Sequence, residues 1–197
     1  MQWRCRIQGV ETVWIHAKKK THHYQEQKPE QVEEYLKEIE GIPKERIAYV
    51  DETGLDSYFY RAYAYSLRGE AVHAQIQGRK FQRTNIVAAQ MGSEILAPMQ
   101  YAGSTDAILF ETWFEKCLLP SLPEEAVIVM DNAAFHRKKQ LYALAERYQH
   151  RLIFLPPYSP ELNPIEKFWA WLKRTLSSVS SRFPSLDDAI SYAFQVY

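Results

Sequence analysis

Three carboxylates are spaced along this chain as a phosphoryl-transfer site would need them: Asp51, Asp131 and Glu166. Asp51 closes the apolar run Ile47-Ala48-Tyr49-Val50, and Asp131 closes a second, Ala126-Val127-Ile128-Val129-Met130. Glu166 follows Asp131 after a gap of 34 residues, at the start of a strong helix signal. If the two aspartates end neighbouring parallel strands, their charges stand several ångströms apart. At about 4 Å two such charges repel by about 4 kcal/mol at an effective dielectric near 20. A protein relieves that repulsion by keeping one acid protonated or by binding a cation. Three oxygen donors without a partnering cysteine suit a hard ion such as magnesium or manganese. A pair of such ions activates a water or hydroxyl and stabilises the leaving oxygen of a phosphodiester.

The same residue types have plainer uses. An aspartate after a strand is often a turn residue. Asn163-Pro164-Ile165-Glu166 is a good helix start, with asparagine as N-cap, proline at the first helical position and glutamate closing a capping box. The helix pattern separates the two uses in part. Ile165, Phe168, Trp169, Leu172 and Leu176 share an apolar face, whereas Glu166, Ala170, Lys173 and Arg174 share another. The acid is therefore expected to point away from the core, with two cations further down its helix.

Other basic groups bear on the same question. Arg137, Lys138 and Lys139 are expected to open a helix, where the macrodipole disfavours each cation by roughly 0.3–1 kcal/mol. A basic helix start is explained if it meets phosphates, and equally if its side chains splay into solvent. Lys18-Lys19-Lys20 and Arg79-Lys80-Phe81-Gln82-Arg83 are further clusters. His136, five residues after Asp131, is expected to line the same cleft. His22-His23 reads as a solvated pair, and Cys117 as a core residue on its helix.

The elements that position these groups follow from periodicity. A helix is expected after Pro29, with Val32, Tyr35, Leu36 and Ile39 at helical spacing and Gly41 and Pro43 as its stop. From Tyr58 to Met91 the tyrosine-rich, β-branched sequence predicts two or three antiparallel strands, and Glu94 to Tyr101 extends one of them. Ser104 or Thr105 should cap a helix bearing Phe110, Trp113, Phe114 and Cys117, ended by Pro120. The strand ending at Asp131 precedes a helix with Leu141, Leu144, Ala145 and Tyr148 inward. Leu152 to Leu155 is a further strand, the segment Pro156 to Pro164 a proline-rich loop, and Leu186 to Tyr197 a last helix. The order implies a mixed sheet with helices on both faces, its short apolar strands central. Active residues at carboxyl ends of central strands fit the general rule for such sheets.

Composition narrows the field. The 197 residues suffice for one domain with a real core, and 46% hydrophobic against 24% charged residues describes a soluble globular chain. Net charge is zero, but residues 1–28 carry six basic groups against two acidic ones, and residues 29–40 carry five glutamates against Lys37. That change of sign suggests a basic arm over 1–28 and a folded unit over 29–197. Cys5 and Cys117 fit a reducing compartment, and no apolar run is long enough to span a membrane, so a cytoplasmic location is expected. No glycine-rich phosphate loop or G-x-S-x-G elbow is present. A two-carboxylate glycosidase would leave Asp131 and the basic clusters without a role.

Three longer motifs carry a resemblance. Tyr49-Val50-Asp51-Glu52-Thr53-Gly54, Val129-Met130-Asp131-Asn132 with His136, and the run Leu155-Pro156-Pro157-Tyr158-Ser159-Pro160-Glu161-Leu162-Asn163-Pro164-Ile165-Glu166 resemble the catalytic domain of mariner-superfamily transposases, in particular the bacterial insertion-sequence branch. The resemblance covers about residues 20–197. It implies an RNase H-like fold with a mixed five-stranded sheet flanked by helices. It also implies a DDE site in which Asp51, Asp131 and Glu166 hold two Mg²⁺ ions, with Mn²⁺ as a substitute. The implied chemistry is hydrolytic cleavage at transposon ends, then transfer of the freed 3′-hydroxyl to target DNA at TA sites. DNA contacts are expected at Lys18, Lys19, Lys20, Arg79, Lys80, Arg83, His136, Arg137, Lys138, Lys173 and Arg174. The resemblance further implies a homodimer associated with the nucleoid. Relatives carry N-terminal helix-turn-helix units, so this chain is expected to be the catalytic half, completed from a companion reading frame by frameshifting or left as a decayed copy. The competing readings are a structure-selective nuclease on the same fold and a non-catalytic, DNA-binding regulatory remnant.

Overall fold

The computed structural model describes residues 2–4, 14–16, 26–56 and 83–197, with side chains described over 26–55 and 84–197. Strands β1 (Gln2–Arg4) and β2 (Trp14–His16) form an antiparallel pair of their own, Trp3 opposite Ile15. The main sheet has five strands: β3 (Ile47–Asp56), β4 (Arg83–Met91), β5 (Glu94–Ala102), β6 (Val127–Met130) and β7 (Arg151–Phe154). Their order is β5-β4-β3-β6-β7. The first three are antiparallel, and β3, β6 and β7 run parallel. The expected mixed five-stranded sheet is thus present.

Strand alternation divides the core between two faces. Val50 and Ala48 of β3, Val87 and Ala89 of β4, and Ile128 and Met130 of β6 point to one side. There they meet helix α2 (Ala107–Trp113) and helix α3 (Lys138–Arg147). Leu55, Ile86 and Ala88 point to the other side, against helix α4 (Ile165–Val179) and helix α5 (Leu186–Gln195). On that side Ile47, Val127, Val129 and Ile153 meet Tyr35 of helix α1 (Pro29–Ile39). All four residues of β6 are buried, as expected for a central strand covered on both faces. Gly92 and Ser93 form the two-residue turn between β4 and β5, and Gly92 at φ +58° supplies the backbone conformation that its first position needs.

Several sequence expectations change in detail. The strand through Asp51 does not stop there: β3 runs on to Asp56, because β4 pairs with it through Glu52, Thr53 and Gly54. Of the antiparallel strands expected between Tyr58 and Met91, β4 is described and the remainder lies outside the described residues. Glu94 to Ala102 is a strand in its own right, hairpin-paired with β4. Asp106, not Ser104 or Thr105, caps α2; its carboxylate accepts the Leu109 N–H at 2.8 Å, while the Thr105 hydroxyl is bonded to that of Tyr101. Past Trp113 the helix widens into a π-helical segment, Phe114–Leu118, then tightens over Leu119–Ser121, so it continues through Pro120. The extra residue in that turn rotates Cys117 outward and Leu118 inward, which is why Cys117 is exposed rather than in the core. Leu36 is likewise exposed, leaving Tyr35 as the buried residue of α1.

Candidate active site

Register brings the two aspartates level. Ile47, Ala48 and Tyr49 of β3 lie beside Val127, Ile128 and Val129 of β6, so the same offset carried forward sets Asp51 beside Asp131. The parallel partner ends at Met130, and Asp51 therefore sits where the sheet opens on one side. Asn163 and Glu166 approach from the other direction. Asn163 is buried and does not cap α4: its side-chain N–H₂ donates to the Val50 carbonyl at 3.3 Å, tying the entry of α4 to β3. The capping-box expectation fails for that reason, since the asparagine is spent on a tertiary contact. Glu166 is the second residue of α4 and is exposed, its backbone N–H bonded to the Asn163 carbonyl at 3.2 Å. The expected apolar face of α4, Ile165, Phe168, Trp169, Leu172 and Leu176, is buried throughout.

The three acids line one cavity of about 610 Å³ together with Asn132, Asn163 and the loop from Leu155 to Pro160. Asp51 is the enclosed member. Burial pushes its carboxyl from 3.8 up to about 7, the charge of Glu166 adds to this, the Glu52 amide opposes it, and the charges of Glu52 and Asp131 add further. Its Oδ2 accepts the indole N–H of Trp169 at 3.0 Å. Asp131 is half exposed, and its Oδ1 accepts the Ala133 N–H at 3.1 Å. Among the described residues, no three acidic, cysteine or histidine side chains are gathered tightly enough to hold a metal ion as they stand. The donor set still fits a hard cation. Three carboxylates face one cavity, and burial together with repulsion from the other two raises Asp51; a divalent ion would relieve the repulsion.

The loop that closes the cavity is held at both ends. Asn132 donates from its side chain to the Leu155 carbonyl, and the Leu155 N–H donates to the Met130 carbonyl at 2.8 Å. Gln27 bonds the Ser159 hydroxyl at 2.8 Å and also reaches Glu161. Between these anchors Tyr158 is 55% exposed at φ +59°, a left-handed conformation rare for an aromatic residue.

Two residues join the site through tertiary contacts that sequence pattern does not signal. Trp169 fits the apolar face by periodicity, yet a buried indole N–H needs an acceptor and Asp51 supplies it. Glu52 adjoins Asp51, but alternation sends it to the other face of the sheet, where its Oε1 lies 3.8 Å from His136 Nε2.

The expected DNA contacts divide three ways. Lys18, Lys19, Lys20, Arg79 and Lys80 lie outside the described residues, as does the side chain of Arg83. His136 is a correction: its side chain is 1% exposed, enclosed by Phe110 and Phe135, and does not face solvent. Lys173 and Arg174 are exposed on the Glu166 side of α4. Arg137 and Lys138 open α3 as expected but are engaged. Arg137 forms a two-pronged pair with Glu111, whose hydrogen bonds and charge raise the guanidinium above its ordinary value. Lys138 bonds Asn132 and sits 4.4 Å over the Phe154 ring.

Comparison with known proteins follows the same outline. The family described as DDE superfamily endonuclease matches residues 46–190, which include all three acids. The Mos1 transposase paired-end complex with left transposon end superposes with a TM-score of 0.64 at 16% identity, covering 92% of this chain and 62% of that one. The Mos1 transposase catalytic domain with Raltegravir and Mg gives 0.60 at 15% identity, covering 85% and 79%. At such identities the likeness is one of fold, and it is the fold of an RNase H-like transposase catalytic domain. An uncharacterized protein of Sinorhizobium fredii (strain NBRC 101917 / NGR234), y4pE/y4sA, is 34% identical over 67 residues, 34% of this chain and 47% of that protein. The chain thus spans about half the length of that relative and 62% of the Mos1 chain in the paired-end complex. Among the described residues no helix is long and apolar enough to cross a membrane.

Proposed function

We propose, from the premise that this chain belongs to the DDE superfamily endonucleases, that it is a transposase catalytic domain that cuts DNA at element ends and joins the freed 3′-hydroxyl to target DNA. One observation carries the proposal. Asp51 and Asp131 stand level on neighbouring parallel strands, Glu166 faces the same cavity from α4, and the charges of Glu166 and Asp131 both act on Asp51.

Asp51, Asp131 and Glu166 would hold the metal, two ions in all, magnesium with manganese as substitute. When bound, such ions supply Lewis acidity that activates a water or 3′-hydroxyl and stabilises the leaving oxygen. The protein's own part is positional. Trp169 fixes one oxygen of Asp51, Ala133 one oxygen of Asp131, and Asn163 the entry of the Glu166 helix. The loop from Pro156 to Pro160 walls one side of the cavity. No protein nucleophile is required, because water and then a DNA hydroxyl attack phosphorus directly.

Lys173 and Arg174 lead from Glu166 along α4 and suit a phosphate track, and Arg137 and Lys138 suit DNA that displaces their present partners. Lys18, Lys19, Lys20, Arg79, Lys80 and Arg83 are proposed as further phosphate contacts. Residues 1–28 act as a basic arm and 29–197 as the catalytic unit. The working form is a homodimer on two DNA ends in the nucleoid, completed by a DNA-reading half from a companion reading frame, with insertion at TA. The test is an Mn²⁺- and Mg²⁺-dependent assay on duplex oligonucleotides and supercoiled plasmid, with Asp131→Asn as control. Joined products that vanish in the variant support the proposal. Cutting without joining points to a nuclease, DNA binding without either reaction to a regulatory role, and activity unchanged by Asp131→Asn overturns the site.

A further inference from the structure

The loop that walls the cavity holds a conformation its residue type resists. Tyr158 sits at φ +59°, in the left-handed region that glycine and asparagine enter cheaply and an aromatic residue does not. It is also exposed, so burial of the ring does little to offset the strain. The flanking chain leaves the ring little freedom of placement. Pro156, Pro157 and Pro160 fix φ at three of the five loop positions. Ser159 is buried, and its hydroxyl donates to the Pro157 carbonyl at 3.2 Å and accepts from the Gln27 side chain at 2.8 Å. The Leu162 N–H donates back to the Ser159 carbonyl at 3.1 Å. Tyr158 is thus held from both sides and turned outward at the rim of the cavity that contains Asp51, Asp131 and Glu166. Among the described residues lining that cavity, it carries the one aromatic ring. A rigid loop that keeps a strained, exposed ring beside a reactive site has use for the ring in a ligand contact.

We propose that Tyr158 stacks on the nucleobase next to the scissile phosphate and so holds the strand against the three acids. The inference deepens the proposed function and rests on it. A phosphate at the acids brings its own sugar and base to the rim, and of these only the base offers a flat face to an aromatic ring. Every base has such a face, so the contact is tolerant of sequence. A base inside a duplex is covered by its neighbours, so the ring meets one that is terminal or has left the stack. A tyrosine that served only its own loop would stabilise the fold, and glycine in its place would weaken it. A tyrosine kept for a base leaves the fold strained, and glycine relieves that strain.

The test uses the full chain and DNA duplexes with a short 3′ overhang, with 5-iododeoxyuridine walked through the overhang and the terminal base pairs. With Ca²⁺ as the divalent ion, irradiation followed by peptide mass spectrometry should place the crosslink on Tyr158. Tyr158→Phe should keep DNA affinity within about twofold of wild type, and Tyr158→Gly should weaken it about fivefold or more. The salt slope should not change in Tyr158→Gly, because stacking releases no counterions. Its melting temperature should equal or exceed that of wild type, since glycine takes the left-handed conformation without strain. Tyr158→Leu fills the same space without a π face and should bind as weakly as Tyr158→Gly, which decides the matter if glycine loosens the loop. Crosslinks that avoid Tyr158, wild-type affinity in Tyr158→Leu, or a lower melting temperature with unchanged affinity in Tyr158→Gly would each overturn the contact. Wild-type protein that neither binds nor cuts these duplexes overturns the proposed function and the contact with it. Binding and cutting kept in both Tyr158→Gly and Tyr158→Leu overturn the contact alone.

Discussion

Replacing Asp51 by asparagine should make the metal-free protein more stable, although it removes a central residue of the site. The carboxyl of Asp51 is raised from 3.8 to about 7, chiefly by burial and then by Glu166. A raised acid is one whose ionisation the fold resists. Below about pH 4 both folded and unfolded states hold the proton, and the group has no effect. Between about pH 4 and 7 the unfolded chain has released its proton and the folded one has not, so stability falls as pH rises, then levels off above 7. At about 1.4 kcal/mol per unit, the full penalty is at most about 4 kcal/mol, and relaxation of the site brings it to about 2–4 kcal/mol. Asparagine carries no charge and keeps an oxygen that can accept the Trp169 indole N–H, now bonded at 3.0 Å, so little packing is lost. Thermal or urea melts in chelator from pH 4 to 8.5 should find the variant and wild type alike at pH 4. At pH 8 the variant should be ahead by roughly 5–15 °C, at roughly 2–4 °C per kcal/mol for a domain of this size. Added Mn²⁺ should raise the wild type and leave the variant unchanged. Equal stability at every pH would refute the reasoning, because Asp51 would then be neither desolvated nor repelled.

Other expectations follow from the same contacts. Trp169→Phe keeps the ring in the core but removes the N–H donated to Asp51, and should lower kcat about tenfold while costing about 1.5–3 kcal/mol in urea melts. An unaltered kcat would mean that the indole packs without orienting. Leu172→Ala, at a fully buried position of α4, should cost about 2–5 kcal/mol by the same melts. Lys173→Ala with Arg174→Ala should weaken DNA binding about equally for all sequences and reduce the salt slope by about 2, read by fluorescence anisotropy at several salt concentrations. An unchanged slope would remove α4 from the phosphate track.

The parts of the site legible in sequence were those set by periodicity and by long motifs. Two apolar runs ending in aspartate predict central strands, and the α4 pattern separates Glu166 from the buried face of its helix. What stayed hidden depended on contacts between distant segments. The Glu52-Thr53-Gly54 stretch reads as a strand end by composition, yet β4 pairs with it and carries β3 to Asp56. Asn163 fits a cap by local rules, but the Val50 carbonyl claims its side chain. Cys117 follows a 3.6-residue period onto the buried face, and the π-helical turn at Phe114–Leu118 breaks that period without a signal in residue type. Glu52 adjoins Asp51 in sequence, and pleating alone puts the two on opposite sides of the sheet.

That pleating has a consequence for how the acids are held. Asp51 lies on the α4 face among groups that oppose its charge, so the fold alone does not favour the ionised site. Rigidity must come from neighbours that do not need the ion. Trp169 supplies it from α4, Asn163 from the helix entry, and the His136 turn from behind the sheet. These contacts join separate elements, β3 to α4 and β6 to the start of α3, so the acids cannot drift apart to relieve their repulsion without breaking these hydrogen bonds. The repulsion is therefore retained, and under the proposed assignment a divalent cation would be the species that removes it. Metal affinity and metal-free instability then have one origin. A variant that loosens the frame should lose both together, whereas Asp51→Asn loses affinity and gains stability.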